Sequence, residues 1–210
     1  MSKKIVIAYL GRARNGKDTA AEFAMDYLNK NTNLVSEHKS FAALLKEQAR
    51  MMGWNGEKDF AGRTFLQELS APIKHYYSLM AETYPDSEEY KEYANNNFYP
   101  GHVYKEIMAS DADVFHITDM RFMNEANYFE QKAYNGDFIF ITIRIDRRTS
   151  TGAKYYGDLT IEQRNHESET SLNGYNTDIT YVNDGTLDDF REAIETAIKT
   201  VVKSTEHTRN

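Results

Sequence analysis

Residues Gly11-Arg12-Ala13-Arg14-Asn15-Gly16-Lys17-Asp18-Thr19 restrict what this chain can fold into more than any other segment. They spell a glycine-bounded loop with a lysine directly behind its second glycine. Backbone N–H groups of such a loop converge on phosphate oxygens, the following helix adds the positive end of its dipole, and the lysine bridges the terminal phosphates. Gly11 and Gly16 bring the freedom to take positive φ angles and let the backbone approach an anion closely. Both flanks agree. Lys4 to Leu10 reads as a strand whose unbroken apolar run, Ile5-Val6-Ile7-Ala8-Tyr9-Leu10, suits a parallel sheet. Behind the loop Ala20, Phe23, Ala24, Tyr27 and Leu28 recur at helical spacing, and Asn29 to Asn33 is rich in turn formers. All nine loop residues are therefore candidate ATP-binding residues.

The loop departs from the usual motif in one respect. A serine or threonine normally follows the lysine and gives its hydroxyl to magnesium, but here Asp18 holds that place and Thr19 comes one later. Thr19 is expected to supply the hydroxyl, while Asp18 holds a magnesium-bound water or orients the loop.

At 210 residues the chain suits one domain, with a full core or a core plus an insertion. Its formal charge of −7 argues against a sequence-independent grip on long nucleic acid, which needs a broad basic surface. The absence of cysteine excludes disulfides, zinc-thiolate sites and a thiol nucleophile. No stretch approaches the ~20 apolar residues needed to span a bilayer, and the first residues do not resemble a signal peptide, so a soluble, cytoplasmic protein is expected. Many of the 15 tyrosines cluster between Tyr76 and Tyr104. They read as half-buried residues of a helical insertion, with base stacking by one of them as the alternative, and they offer a surface on which a homodimer could form.

Farther along, a strand is expected from Leu34 to Ser40 and a helix through Leu44, Leu45 and Met52, stopped by Gly53. Trp54 to Gly62 reads as a loop, Thr64 to Leu69 as helix, and Ile73 to Tyr84 as another helix behind Pro72. Asp86 or Ser87 can cap a short helix after Pro85, and Asn95 to Gly101 reads as a break. Strands follow at Val114 to Thr118, Phe138 to Ile145 and Ile179 to Val182. Helices run over Met123 to Gln131, from a capping box at Thr160 and Gln163, and through Phe190, Ile194, Ala197, Ile198 and Val201. Strands that alternate with helices imply an α/β fold with a parallel sheet covered on both faces, and ligands there bind beyond the carboxyl ends of the strands.

That rule singles out Asp119-Met120-Arg121-Phe122-Met123-Asn124-Glu125, directly behind the third strand. Asp119 can bind magnesium through water or accept hydrogen bonds from an acceptor, or else cap a helix; Arg121 can clamp a phosphate, or else form a surface ion pair. Glu125 could face an acceptor, although a glutamate in a helix's first turn is favourable for dipole reasons alone.

In order, the loop ending Gly-Lys-Asp-Thr, the run Ser40-Phe41-Ala42-Ala43-Leu44-Leu45-Lys46, the Asp119-x-Arg121-x-x-Asn124-Glu125 cluster and Asn183-Asp184-Gly185-Thr186-Leu187 resemble phage-type deoxynucleoside monophosphate kinases. The similarity runs from Ile5 to about Ala197 and is poor from Trp54 to Asp113. It implies a three-layer P-loop, nucleoside monophosphate kinase-like fold with a five-stranded parallel sheet. In it, a single kinase domain would have a core of about 1–53 and 110–205, a helical acceptor-binding insertion of about 54–109 and a lid of about 146–160. The implied reaction transfers the γ-phosphoryl group of ATP, with Mg2+, to a deoxynucleoside monophosphate, in the host cytoplasm if the chain is phage-encoded. Lys17 would contact the β- and γ-phosphates, Phe41 and Lys46 would lie at the acceptor, and Arg63 and Gln67 would border it, with a solvated helix face as the alternative for the last two.

Phosphoryl transfer places charge on equatorial oxygens, so arginines matter most. Lys17, Asp18, Arg121, Arg147 and Arg148 are the candidate catalytic residues. Arg147 or Arg148 would reach the migrating group if the following glycine-containing loop closes as a lid; a merely basic surface loop is the alternative. His166-Glu167-Ser168-Glu169 lacks the spacing of a helical zinc site and reads as structural or nucleotide-adjacent. Two other readings remain: a kinase of the same fold for dephospho-coenzyme A or a nucleoside, and a nucleotide-binding regulatory module without catalysis.

Overall fold

The computed structural model describes residues 3–57, 59–157 and 159–206; Lys58 of the expected insertion and Asp158 of the expected lid lie outside them. Five strands form one sheet: β1 (Lys4–Leu10), β2 (Ser36–Lys39), β3 (Val114–Ile117), β4 (Phe138–Arg147) and β5 (Ile179–Asn183), in the order β2-β3-β1-β4-β5. Every pairing is parallel, with Ile5 opposite both Val114 and Ile139 and Ile143 opposite Ile179. The α/β class and five-stranded parallel sheet expected from the sequence are therefore observed. Because the chain crosses outward from β1 to β2, back to β3, and then beyond β1 to β4, the sheet order switches direction beside β1. That switch opens a crevice at the carboxyl end of β1, where the glycine loop begins.

Alternate residues of β1 feed two cores. On one face Ile5, Ile7 and Tyr9 pack with Phe23 of α1 (Lys17–Asn31) and Phe190, Ile194 and Ile198 of α9 (Leu187–Glu206). Phe23 meets Phe190 edge-on at 5.8 Å between centroids. On the other face Val6, Ala8 and Leu10 pack with Val103 and Ile107 of α5 (Phe98–Ala109) and Phe129 of α6 (Met123–Tyr134). From Ile5 to Leu10 no residue of β1 is more than 1 % exposed, which explains its unbroken apolar run.

The region between α2 (Ala42–Met51) and β3 departs from the sequence reading. Asp59 caps a single helix, α3 (Phe60–Thr83), which runs through Pro72 instead of breaking there. Proline's fixed φ is compatible with a helix, and Pro72 is exposed, so the carbonyl left without its N–H donor can turn to water. Ser87 caps α4 (Glu88–Tyr93), as expected. The following break is shorter than Asn95 to Gly101: Asn95 and Asn96 take φ of 56° and 65°, and α5 already contains Pro100 and Gly101. Proline in a first turn lacks only an N–H that would have had no partner in the helix. Gly101 lies under the Tyr93 ring, where a Cβ would come within 2.7 Å. Two small helices, α7 (Ile161–Asn165) and α8 (Glu167–Thr170), follow the loop after β4. Among the described residues no helix is long and apolar enough to cross a membrane.

Pro72→Ala restores a main-chain donor in an exposed helix interior. It should stabilise the protein by about 1 kcal/mol or more, below the ~3 kcal/mol ceiling of a helical proline. Urea unfolding checks this; an unchanged or lowered midpoint would show that Pro72 costs the helix nothing at this position.

Candidate phosphate-binding site

Residues 11–16 turn between β1 and α1 in a conformation that few sequences permit. Gly11 has φ +134°, and a Cβ there would stand 2.3 Å from the Ile145 carbonyl oxygen of β4. Gly16 takes φ 102° and leaves the first amides of α1 without a side-chain cap. Asn15, only 3 % exposed, pins the loop: its Nδ2 donates to the Ile145 carbonyl at 2.9 Å, and its own carbonyl accepts from Asn183 Nδ2 at 3.3 Å. Lys17 is buried against the same turn and donates through Nζ to the carbonyls of Gly11 and Arg12, both at 2.8 Å. Burial, together with the positive charge of Arg121, lowers the Lys17 ammonium to about 8, despite the opposing carboxylates of Glu169, Asp18 and Asp119.

Across the switch point, the end of β3 is tied to the start of α2. Asp119 accepts from Ser40 Oγ at 2.6 Å, from the Phe41 amide at 3.1 Å and from the Ala42 amide at 3.0 Å. Its carboxylate thus caps α2, a helix it does not belong to. Arg121 turns to α8, where Nη1 meets Glu169 Oε1 at 2.5 Å and the Ser168 carbonyl at 3.4 Å. The second oxygen of Glu169 accepts the Ala13 amide of the loop at 2.7 Å. Glu125 is buried beneath Arg121 and accepts the amides of Arg121 and Phe122 at 2.6 and 3.0 Å. Burial pushes its carboxyl up to about 7, against the pull of those two amides.

A cleft of about 780 Å³ opens between the loop, the start of α2, α3 and the end of β3. Lys17, Asp18, Phe41, Lys46, Gln67, Asp119, Arg121 and Glu125 all line it. The structure therefore gathers the expected acceptor residues except Arg63, which is exposed on the first turn of α3 and does not line the cleft. Thr19 is half-buried in the first turn of α1, outside this lining. On the other side of the loop a cavity of about 200 Å³ is lined by Gly11, Arg12, Asn15, Arg121, Arg144, Arg147, Arg148 and Lys154. Arg121 faces both spaces.

Strand β4 extends two residues beyond its expected end, so the segment read as a lid begins inside the sheet at Asp146 and Arg147. Behind it, Arg148 and Lys154 pair in an antiparallel bridge, and the turn closes through Thr149, Gly152 and Ala153. Arg147 stacks on Tyr155 at 4.4 Å and reaches the Arg14 carbonyl at 3.5 Å, whereas Arg148 donates to the Gly152 carbonyl at 3.1 Å. Arg12 lies over Tyr156 at 5.0 Å.

Among the described residues no three His, Cys, Asp or Glu side chains form a protein cage for a metal. Asp18 lines the cleft with an exposed carboxylate. Asn183 enters the sequence reading only within the Asn183-Asp184-Gly185-Thr186-Leu187 run, and its hold on the loop through the Asn15 carbonyl is a further role that its place at a strand end could have signalled. The His166-Glu167-Ser168-Glu169 run reads as structural or nucleotide-adjacent, but the partners of Glu169, 156 and 48 residues away, are not legible from it.

No family model matches the sequence, and no curated protein does. A solved candidate kinase from Chloroflexus aurantiacus is 14 % identical over 98 % of this chain and 99 % of that one, with a TM-score of 0.51. The APS kinase of Mycobacterium tuberculosis, solved in complex with AMPPNP and APS, is 10 % identical over 98 % of this chain and 99 % of that one, at a TM-score of 0.44. The class defined is an α/β fold with a five-stranded parallel sheet and a glycine loop at the end of its central strand, similar in fold to the Chloroflexus aurantiacus protein.

The raised Glu125 carboxyl makes stability depend on pH. The folded state holds this proton more tightly than the unfolded chain does, so the group favours folding at low pH and loses that contribution between about pH 4.5 and 7. Relative to Glu125→Gln, the wild type should lose on the order of 2–3 kcal/mol across that window. Urea unfolding of both proteins at pH 5 and pH 8 measures it; parallel profiles would rule it out.

Proposed function

We propose that the protein is an ATP-dependent kinase that phosphorylates a deoxynucleoside monophosphate held in the large cleft. The observation that carries this reading is the position of Lys17 and Arg121, which line one cleft together with Phe41, Lys46 and Gln67. A loop built for phosphate thus opens directly onto a space of nucleotide size, with a second cation, Arg121, beside it. Such a site can bring two anions into line, which is most of what phosphoryl transfer asks of a protein.

In this reading the loop amides and Lys17 hold the donor phosphates, and Arg121 meets the acceptor phosphate. That phosphate is already an anion at neutral pH, so its oxygen can attack without a general base. Arg147 and Arg148, beside the loop on the other cavity, neutralise the migrating group as the Tyr155 turn settles over it. Asp18 and Thr19 would hold Mg2+, and Asp119 would reach it through water while continuing to cap α2. When bound, the ion would offset the charge of the donor phosphates. A soluble, cytoplasmic protein able to form homodimers through its tyrosine-rich helices is consistent with this role.

Incubation with ATP and Mg2+ against a panel of dNMPs, NMPs, dephospho-coenzyme A and nucleosides tests the reading, by ADP release and identification of the product. At least one dNMP should be converted to its diphosphate. Preferred transfer to another acceptor would redirect the assignment, and ATP binding without transfer would favour a regulatory module.

A further inference from the structure

Glu169 meets the two groups that a phosphate would otherwise contact. One oxygen takes the Ala13 amide at 2.7 Å and the other takes the Arg121 guanidinium at 2.5 Å. Its side chain is only 8 % exposed, whereas that of Arg121 is 32 % exposed, so the carboxylate is sealed into the loop and the arginine remains open to ligand. The residue stands among the arginines of the smaller cavity, and its neighbours Ser168 and Arg121 line both spaces. A negative group at this point also offsets charge on Lys17.

We infer that the Ala13 amide and the Arg121 guanidinium form a phosphoryl subsite whose occupant in the free protein is the Glu169 carboxylate, displaced when a phosphate group binds. A carboxylate and a phosphate present the same charged acceptor oxygens to an N–H and a guanidinium, and the phosphate adds charge and a third oxygen. Exchange is therefore favoured for a phosphate monoester or inorganic phosphate over a carboxylate ligand.

The segment that carries Glu169 is built to yield. Neither α7 nor α8 contributes a buried residue. The firm attachment comes just afterwards, where Leu172 is buried and Arg144 donates to the carbonyls of Leu172 at 2.8 Å and Tyr175 at 3.0 Å. An outward swing of α8 about this anchor would free the carboxylate at the cost of the Ser171 hydroxyl's bond from the Met123 amide, with no buried residue of α8 to displace. The inference rests on reading residues 11–19 as a phosphate loop, but not on the identity of the acceptor.

Titration of the full chain with inorganic phosphate, followed by calorimetry and thermal unfolding, tests it in wild type, Glu169→Gln and Glu169→Gln combined with Arg121→Met. Removing the charged competitor should raise phosphate affinity by about tenfold or more, and losing Arg121 should abolish the gain. Glu169→Asp, too short to reach both partners, should show an intermediate gain and serves if the glutamine variant folds poorly. Equal or weaker phosphate binding in these variants would overturn the inference and make Glu169 a fixed brace. A gain that persists without Arg121 would overturn it as well. If the gain appears as described while no dNMP is phosphorylated, the subsite stands and only the acceptor assignment falls.

Discussion

One carbonyl group, that of Ile145, fixes the geometry on which the site depends. It accepts the side chain of Asn15 and lies so close to Gly11 that no side chain fits there. The loop after β1 is thereby locked to the strand that continues into Arg147 and Arg148, while Asn183 at the end of β5 holds it from the next position in the sheet. Removing either glycine or Asn15 would change more than a ligand contact, since these residues set where the amides and Lys17 point. The parallel sheet makes this possible, because its carboxyl edge delivers the ends of β1, β3, β4 and β5 to one rim.

Electrostatics then divides the rim. A chain with a formal charge of −7 nevertheless brings Arg12, Arg121, Arg144, Arg147, Arg148 and Lys154 around a single small cavity. Such a concentration of like charge is costly without anions, and in the free protein Asp146 and Glu169, which line the same cavity, supply partial compensation. Lys17 shows the remaining strain most clearly, with its ammonium lowered to about 8 by burial and by Arg121. A polyanionic ligand would relieve it.

Much of this was legible in the sequence, for physical reasons. The apolar run of β1 and the spacing of α1 identify a buried parallel strand feeding a helix, and strand-end placement led to Asp119 and Arg121. The continuity of α3 was hidden because Pro72 breaks most helices but is tolerated on an exposed face, and Pro100 misled in the same way by lying in a first turn. At the site, the capping duty of Asp119 could not be read because its partners Ser40, Phe41 and Ala42 belong to another part of the chain. Local rules suggested that it might cap its own helix; tertiary structure gave it a different one. The run holding Glu169 reads as structural or nucleotide-adjacent, but its partners Ala13 and Arg121 were hidden for the same reason.

The protonation of Lys17 is the most direct probe of the claim that this loop binds donor phosphates. If ATP phosphates replace the Gly11 and Arg12 carbonyls as partners of Nζ, the ammonium's pKa must rise from about 8 on binding. Calorimetric titration of ATP at pH 8.5 in buffers of different ionisation enthalpy should reveal proton uptake, and affinity should fall as pH rises above about 8; Lys17→Met should lose the uptake and bind ATP at least about tenfold more weakly. Equal ATP affinity in the two proteins, with no difference in proton uptake, would contradict the assignment of the loop.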